Sequence, residues 1–152
     1  MRVIIQRVSS ASVTIDGKQI NQMGEGLLLL LGIKRNDTEK EVEYLVNKCI
    51  NLRIFDDKKG MMNQSLLDLF KKPECMVVSN FTLFGDTRKG RRPSFVLAAP
   101  ANRAEELYNT FIGEMKKNKI TVHSGTFGSH MDISLVNNGP VTLIIDTDNI
   151  SD

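Results

Sequence analysis

The sequence predicts an α+β fold: a mostly antiparallel β-sheet or open barrel with two main helices packed on it. Three observations lead there. Runs rich in β-branched and apolar residues crowd both ends of the chain, two inner segments carry helical spacing, and strands and helices do not alternate strictly as they would in a β-α-β protein.

Taken in order, residues 2–8 form a β-branched run, and 11–16 alternate cleanly, with Ala11, Val13 and Ile15 opposite Ser12, Thr14 and Asp16; both read as strands. Asp16-Gly17 is a strong hairpin signal. The chain then returns over 18–23 and enters 27–33, whose continuous leucines suit a strand buried on both faces. At Thr38 the pattern changes. Thr38 and Glu41 have capping-box spacing, acids crowd the positive helix end, and Val42, Leu45, Val46, Cys49 and Ile50 recur at helical spacing. Residues 75–84 read as one long strand. After Pro100 a second helix begins, with Asn102 as expected N-cap, an apolar stripe of Ala104, Leu107, Tyr108, Phe111, Ile112 and Met115, and Lys116, Lys117 and Lys119 near its negative end. Residues 120–127, 131–136 and 141–146 supply three more strands, for about eight in all.

Length, charge and cysteine content narrow the class. A chain of 152 residues without repeats, low-complexity tracts or Pro/Gly-rich linkers is expected to form a single domain over 1–152. With 41% apolar residues and a formal charge of +2, disorder and a histone-like surface are excluded. The longest apolar stretch falls far short of the roughly 20 residues that span a bilayer, and the N-terminus lacks an uninterrupted apolar signal core. No membrane partner and a cytoplasmic location are expected. Cys49 and Cys75 make neither a disulfide framework nor a zinc knuckle and read as small core residues.

Motifs for nucleotide cofactors, zinc proteases and serine hydrolases are absent: there is no G-x-G-x-x-G, Walker loop, H-E-x-x-H or G-x-S-x-G. No metal and no cofactor are expected. His123 and His130 have no identifiable nucleophile or acid at fixed offset, which argues against a triad. The charge is uneven. Arg88, Lys89, Arg91 and Arg92 put four positive charges into five residues, and without them the chain would carry −2. This loop is either a solvated charge run or a patch that contacts nucleic-acid phosphates; with no interleaved aromatic it would position a backbone rather than read bases. Arg7 falls on the same strand face as Val3 and Ile5, so it either reaches solvent at a strand end or holds a loop by hydrogen bonds. In 79–84, hydroxyl and amide side chains interrupt an apolar strand. In 137–142, an Asn-Gly turn signal is followed by Pro140, which deletes a backbone donor where the returning strand should begin.

These segments carry a family resemblance over essentially the whole chain. The opening Met1-Arg2-Val3-Ile4-Ile5-Gln6-Arg7-Val8, Asn51-Leu52-Arg53-Ile54-Phe55, Ser79-Asn80-Phe81-Thr82-Leu83, Asp86-Thr87-Arg88-Lys89-Gly90-Arg91-Arg92-Pro93-Ser94-Phe95 and Asn137-Asn138-Gly139-Pro140-Val141-Thr142 resemble the D-aminoacyl-tRNA deacylases. The resemblance implies a homodimer that hydrolyses the ester between a D-amino acid and the terminal adenosine of tRNA, and that also acts on glycyl-tRNA. It implies that Ser79, Asn80, Phe81 and Thr82 form the catalytic segment. In that reading, backbone N–H groups near Phe81 and Thr82 stabilise an oxyanion, and the substrate's 2′-hydroxyl assists water; Thr82 as covalent nucleophile is the rival mechanism. It further implies a cis Gly139–Pro140 pair, in the Asn137 loop secured by Arg7, that enters the partner subunit's pocket, where its carbonyls bind the substrate's α-amino group and exclude L side chains. Phe127 and Met131 would border the adenosine site, and Arg88, Lys89, Arg91 and Arg92 the tRNA backbone. Two departures stand out: Asn80 replaces the usual Gln, and Ser129 stands where Ala is common. A catalytically inactive tRNA- or nucleic-acid-binding module of the same fold is the alternative. The related group that edits mischarged L-alanine carries a different, trans Gly-Pro signature and ranks last.

Overall fold

The computed structural model describes residues 1–69 and 73–149. Its first strand, β1 (Arg2–Ile15), is a single strand of 14 residues where the sequence suggests two. The break lies at a register shift between Val8 and Ser10, where Ser9 and Ser10 are exposed. One extra residue there flips the strand's faces, so Val3 and Ile5 enter one core while Val8, Ala11 and Val13 enter another. The predicted hairpin follows: Asp16 (φ 49°) and Gly17 (φ 74°) take the left-handed conformations of a type I′ turn, and β2 (Lys18–Met23) returns antiparallel. Next, β3 (Gly26–Gly32) alternates between the two cores and is buried on both faces.

The helix α1 (Glu39–Asn51) starts as its capping box dictates. Thr38 Oγ1 accepts from the Lys40 N–H at 3.3 Å while Glu41 Oε2 accepts the Thr38 N–H at 2.7 Å. Its buried residues are Val42, Leu45, Val46, Cys49 and Ile50, the stripe read from the spacing. A two-stranded hairpin of β4 (Phe55–Asp56) and β5 (Met62–Gln64) has no counterpart in the sequence prediction, because strands of two and three residues leave no periodicity to read. The strand β6 (Glu74–Ser79) is shorter than the expected 75–84; residues Phe81–Phe84 form a 3₁₀ turn instead. Then α2 (Ala101–Lys117) begins two residues earlier than expected, with Pro100 rather than Asn102 at the N-cap. The fixed φ of proline suits a helix start, and the Pro100 carbonyl takes the Ala104 N–H at 2.9 Å. The remaining strands are β7 (Thr121–Ser124), a remnant of the expected 120–127, and β8 (Asp132–Asp146), which joins the expected 131–136 and 141–146 into one strand.

The sheet runs β2-β1-β3-β6-β7, with β8 on the free side of β1. The pairings of β1 with β2, β3 and β8 are antiparallel, whereas β3–β6 and β6–β7 are parallel. The parallel pairs arise because α1 and α2 are crossovers that return the chain to the same end. Asn21 Nδ2 donates to the Ser124 carbonyl at 2.6 Å, linking β2 to β7 and bringing the curled sheet close to a barrel. One core, with Phe111, Leu45, Ile5 and Leu29, lies between the sheet and the helices; the other, with Leu28, Met76, Val13 and Met23, fills the inside of the curl. Both cysteines are buried in the first, and burial pushes the Cys49 thiol up to about 12 and Cys75 up as well, which leaves them neutral and inert.

Candidate functional site

The turn after β6 starts as a continuation of the parallel ladder, with the Asn80 N–H donating to the Leu31 carbonyl at 2.8 Å. It stops being a strand because of the Asn80 side chain. Oδ1 accepts both the Thr82 N–H, at 3.2 Å, and the Thr82 hydroxyl, at 2.5 Å, so the backbone donor that a strand would offer a neighbour is captured locally. The Gly85 N–H then closes on the Thr82 carbonyl at 2.9 Å. Gly32 permits this turn to lie against β3: a Cβ there would come within 3.0 Å of Leu83 Cβ and 3.2 Å of the Asn80 carbonyl.

Arg2, which sequence reasoning did not single out, pins the far side of the turn. Its Nη1 donates to the Leu83 carbonyl at 2.6 Å, its Nε and Nη2 both reach Asp146 Oδ2, and its guanidinium lies 5.0 Å over the Phe84 ring. In sequence Arg2 looks like an ordinary charge beside an apolar run. Its partners lie 81 and 144 residues away, which no local pattern encodes.

Ser79, Asn80, Phe81 and Thr82 line one wall of a cavity of about 920 Å³; Phe127 and Met131 line another. The tilted ring of Tyr108, 5.7 Å away, backs Phe127, and Gly125 makes room for Met131, whose Sδ would lie 2.3 Å from any Cβ there. Phe81 is 58% exposed and meets Phe95 edge-on at 5.0 Å on the cavity wall. The cavity contains a backbone turn, apolar surface, neutral polar groups, His130 and one guanidinium, that of Arg35. Thr82 Oγ1 donates to a carboxamide oxygen, which is no base. The Thr82 N–H is already engaged by the same oxygen, which leaves the Phe81 N–H as the backbone donor of the turn without a partner among the described residues. No three His, Cys, Asp or Glu side chains come together as a metal set among the described residues.

The other predicted residues lie elsewhere. Between the pairs Gln6–Thr142 and Val8–Asn137, residues 138–141 of β8 bulge out of the ladder opposite Arg7. The Asn-Gly turn signal, which Pro140 made unusual as a plain turn, does not close a hairpin; the chain bulges and continues in the same direction. Arg7 is 7% exposed and fills this gap. Its Nε donates to the Asn138 carbonyl at 3.0 Å and its Nη1 to the Ile54 carbonyl at 2.7 Å, with Asp56 Oδ1 at 3.1 Å. Asn137 braces the bulge by accepting the Val141 N–H at 2.9 Å and donating to Thr142 Oγ1 at 2.9 Å. Gly139 (φ +130°) and Pro140 form the exposed tip and are joined by a cis peptide bond. Neither of them lines the cavity of its own chain.

Arg88, Lys89, Arg91 and Arg92 are exposed on a loop whose ends are paired through Asp86 and Ser94. Arg88 does not face solvent as a free charge: Nε and Nη2 clasp the two Asp86 carboxylate oxygens at 2.9 and 2.7 Å. Hydrogen bonds from that guanidinium hold the Asp86 carboxyl at about 2, well below the usual range.

The architecture and the site define an α+β protein with a largely apolar cavity that holds a backbone turn and no carboxylate among the described residues, and with a buttressed loop; comparison with known proteins gives it a family. Residues 4–146 match the family described as D-Tyr-tRNA(Tyr) deacylase, and the chain belongs to that family. It is 51% identical over 148 residues to a D-aminoacyl-tRNA deacylase of Thermosipho melanesiensis, covering 97% of each chain. It is 52% identical over 147 residues to one of Desulfatibacillum aliphaticivorans, covering 97% of this chain and 99% of that one. Among solved structures, one described as a c-Myc DNA unwinding element binding protein superimposes with a TM-score of 0.90 at 41% identity, covering 97% of this chain and 99% of that one. A probable eukaryotic D-amino acid tRNA deacylase shares the fold, with a TM-score of 0.81 at 19% identity over 95% of this chain and 97% of that one.

Proposed function

We propose that this chain is a cytoplasmic hydrolase that cleaves the ester between a D-amino acid and the 3′-terminal adenosine of tRNA, acts also on glycyl-tRNA, and works as a homodimer. The observation that carries the reading is the separation within one chain of an exposed Gly139–Pro140 tip, braced by Arg7 and Asn137, from the cavity that holds the Ser79–Thr82 turn. A second copy supplies what one copy lacks: the tip of one chain enters the cavity of the other. There its carbonyls take the substrate's α-ammonium, and fixed backbone leaves no room for an L side chain. A D side chain points outward, so rejection by a rigid wall coexists with breadth toward side-chain identity.

In this reading the Phe81 N–H, which has no partner among the described residues, stabilises the developing oxyanion, and water attacks with help from the ribose 2′-hydroxyl. Asn80 shapes the turn that presents this donor and Ser79 leads into it. Phe127 and Met131 border the adenosine; Arg7 and Asn137 hold the tip in register; Lys89, Arg91 and Arg92, with Arg88 clasped beside them, lie along the tRNA backbone. An ester already activated by its nucleoside needs little acid–base help, which fits a wall where, among the described residues, no serine hydroxyl is hydrogen-bonded to His130. Thr82 as nucleophile is disfavoured because its proton goes to a carboxamide.

The test compares D-tyrosyl-tRNA with L-tyrosyl-tRNA, using the wild-type chain and Gly139→Ala. The wild type is expected to hydrolyse the D ester alone. In Gly139→Ala, a Cβ would come 2.8 Å from Val141 Cγ2 and 3.1 Å from Arg7 Nη2 at a φ that L residues rarely adopt, so both turnover of the D ester and its preference over the L ester are expected to fall. A second reading, a nucleic-acid-binding module without catalysis, is favoured by the description of the solved relative as a DNA unwinding element binding protein and by the exposed basic loop. Hydrolysis of neither ester with tRNA still bound would support that reading instead.

A further inference from the structure

The cavity wall carries one formal charge. Arg35 lines it together with apolar and neutral polar groups, no carboxylate lines it among the described residues, and His130 is the other ionisable side chain on the wall. The backbone leading into Arg35 is pinned: its N–H donates to the Leu97 carbonyl at 3.0 Å, Lys34 pairs with Ala98, and the Ala99 N–H donates to the Ile33 carbonyl at 3.0 Å. Its guanidinium is not. Arg2, Arg7, Arg88 and Arg103 each sit within 3.1 Å of a carboxylate, whereas Arg35 makes a single long contact, Nη2 to the Val96 carbonyl at 3.5 Å. The first turn of α2, which continues the same wall through Pro100 and Ala101, contributes no acidic side chain. An arginine held at the backbone, exposed at its fork and unopposed by any carboxylate on that wall is suited to a phosphate, whose oxygens match the guanidinium geometry.

We propose that Arg35 binds a phosphate group of the ligand that fills this cavity, namely the phosphodiester on the 5′ side of the nucleoside whose ester lies at the Ser79–Thr82 turn. The proposal deepens the deacylase reading and rests on it. It makes Arg35 a binding residue at the opposite end of the ribose from the reacting ester. Its contribution should therefore appear in affinity and not in the chemical step.

The test uses titration calorimetry with AMP and with adenosine, on the wild type, Arg35→Gln and Arg35→Lys. The wild type is expected to prefer AMP roughly tenfold, the scale of one charge-assisted hydrogen bond. Arg35→Gln should bind the two alike, and Arg35→Lys should keep part of the preference. In parallel, 3′-O-D-tyrosyl-adenosine is compared with its 5′-monophosphate. Arg35→Gln should raise KM for the phosphate-bearing ester alone and leave kcat unchanged. Equal wild-type affinity for AMP and adenosine, an equal loss for both ligands in Arg35→Gln, or displacement of AMP by inorganic phosphate at matched concentration would each overturn the proposal. Failure of the wild type to cleave either D ester would instead remove the deacylase reading, while the AMP–adenosine comparison would still decide the role of Arg35.

Discussion

A guanidinium taken out of water has to aim its donors at fixed acceptors, and Arg7 does so across three parts of the chain: β1, the Ile54 carbonyl before β4, and the bulge of β8. Replacing it with alanine leaves two carbonyls without a donor and is expected to cost about 2–4 kcal/mol of stability, measured by chemical denaturation. Deacylation should fall further than the folded fraction does, because the tip loses its register. Thr82 gives the complementary case. Thr82→Ala removes a hydroxyl hydrogen bond to Asn80 but keeps the backbone of the turn, so measurable hydrolysis should persist, with a stability loss on the order of 1 kcal/mol. Complete loss of turnover in a folded variant would favour the nucleophile mechanism. Residue types alone suggested that Arg7 needed a partner; the identity of that partner depends on a fold that brings residues 54 and 138 to it.

Elements differ in how openly the sequence declares them. The helices α1 and α2 were legible because burial on one face imposes a stripe at helical spacing, and the buried residues match that stripe closely. The end of β6 was not legible, because hydrophobic pattern favours strand through Phe84 while one side-chain oxygen of Asn80 redirects the backbone. Similarly, the loop 86–94 showed its charge in sequence but not the Asp86–Arg88 clasp. That clasp makes the four cations unequal. Neutralising Lys89, Arg91 and Arg92 together is expected to flatten the slope of log K for tRNA against log salt by about 2 to 3, whereas Arg88→Gln alone should change it by less than about 0.7. An unchanged slope in the triple variant would remove the loop from the interface.

At the scale of the molecule, β8 (15 residues) pairs with β1 alone among the described residues, which leaves its other edge without a partner strand there, with Val136 and Ile144 exposed. A long, partly apolar edge invites a second chain, and the proposed dimer would cover it while bringing tip and cavity together. Mixing makes this testable. A Gly139→Ala chain and a chain with Ala101→Trp on the cavity wall should each have low activity as homodimers. Unfolded together and refolded, they should recover about a quarter of wild-type activity, since half of the random dimers carry one intact composite site. No recovery, with heterodimers present in native mass spectrometry, would mean that each chain uses its own tip.

The α+β class, both helices and their buried faces, the first hairpin, and the two segments 79–84 and 137–142, whose polar residues and proline broke the strand pattern, could all be read from local pattern. Burial and backbone stereochemistry act over a few residues, so they leave a periodic or punctuated trace in the chain. Only the tertiary structure decided that four expected strands are two long ones, that two pairings are parallel, and that 137–142 is a bulge and not a hairpin. It alone placed Arg2 and Arg35 in their surroundings and gave Arg7 its second acceptor, the Ile54 carbonyl. Those outcomes depend on register and on contacts between residues far apart in the chain, and a local pattern does not constrain which distant carbonyl, carboxylate or cavity wall a side chain will meet.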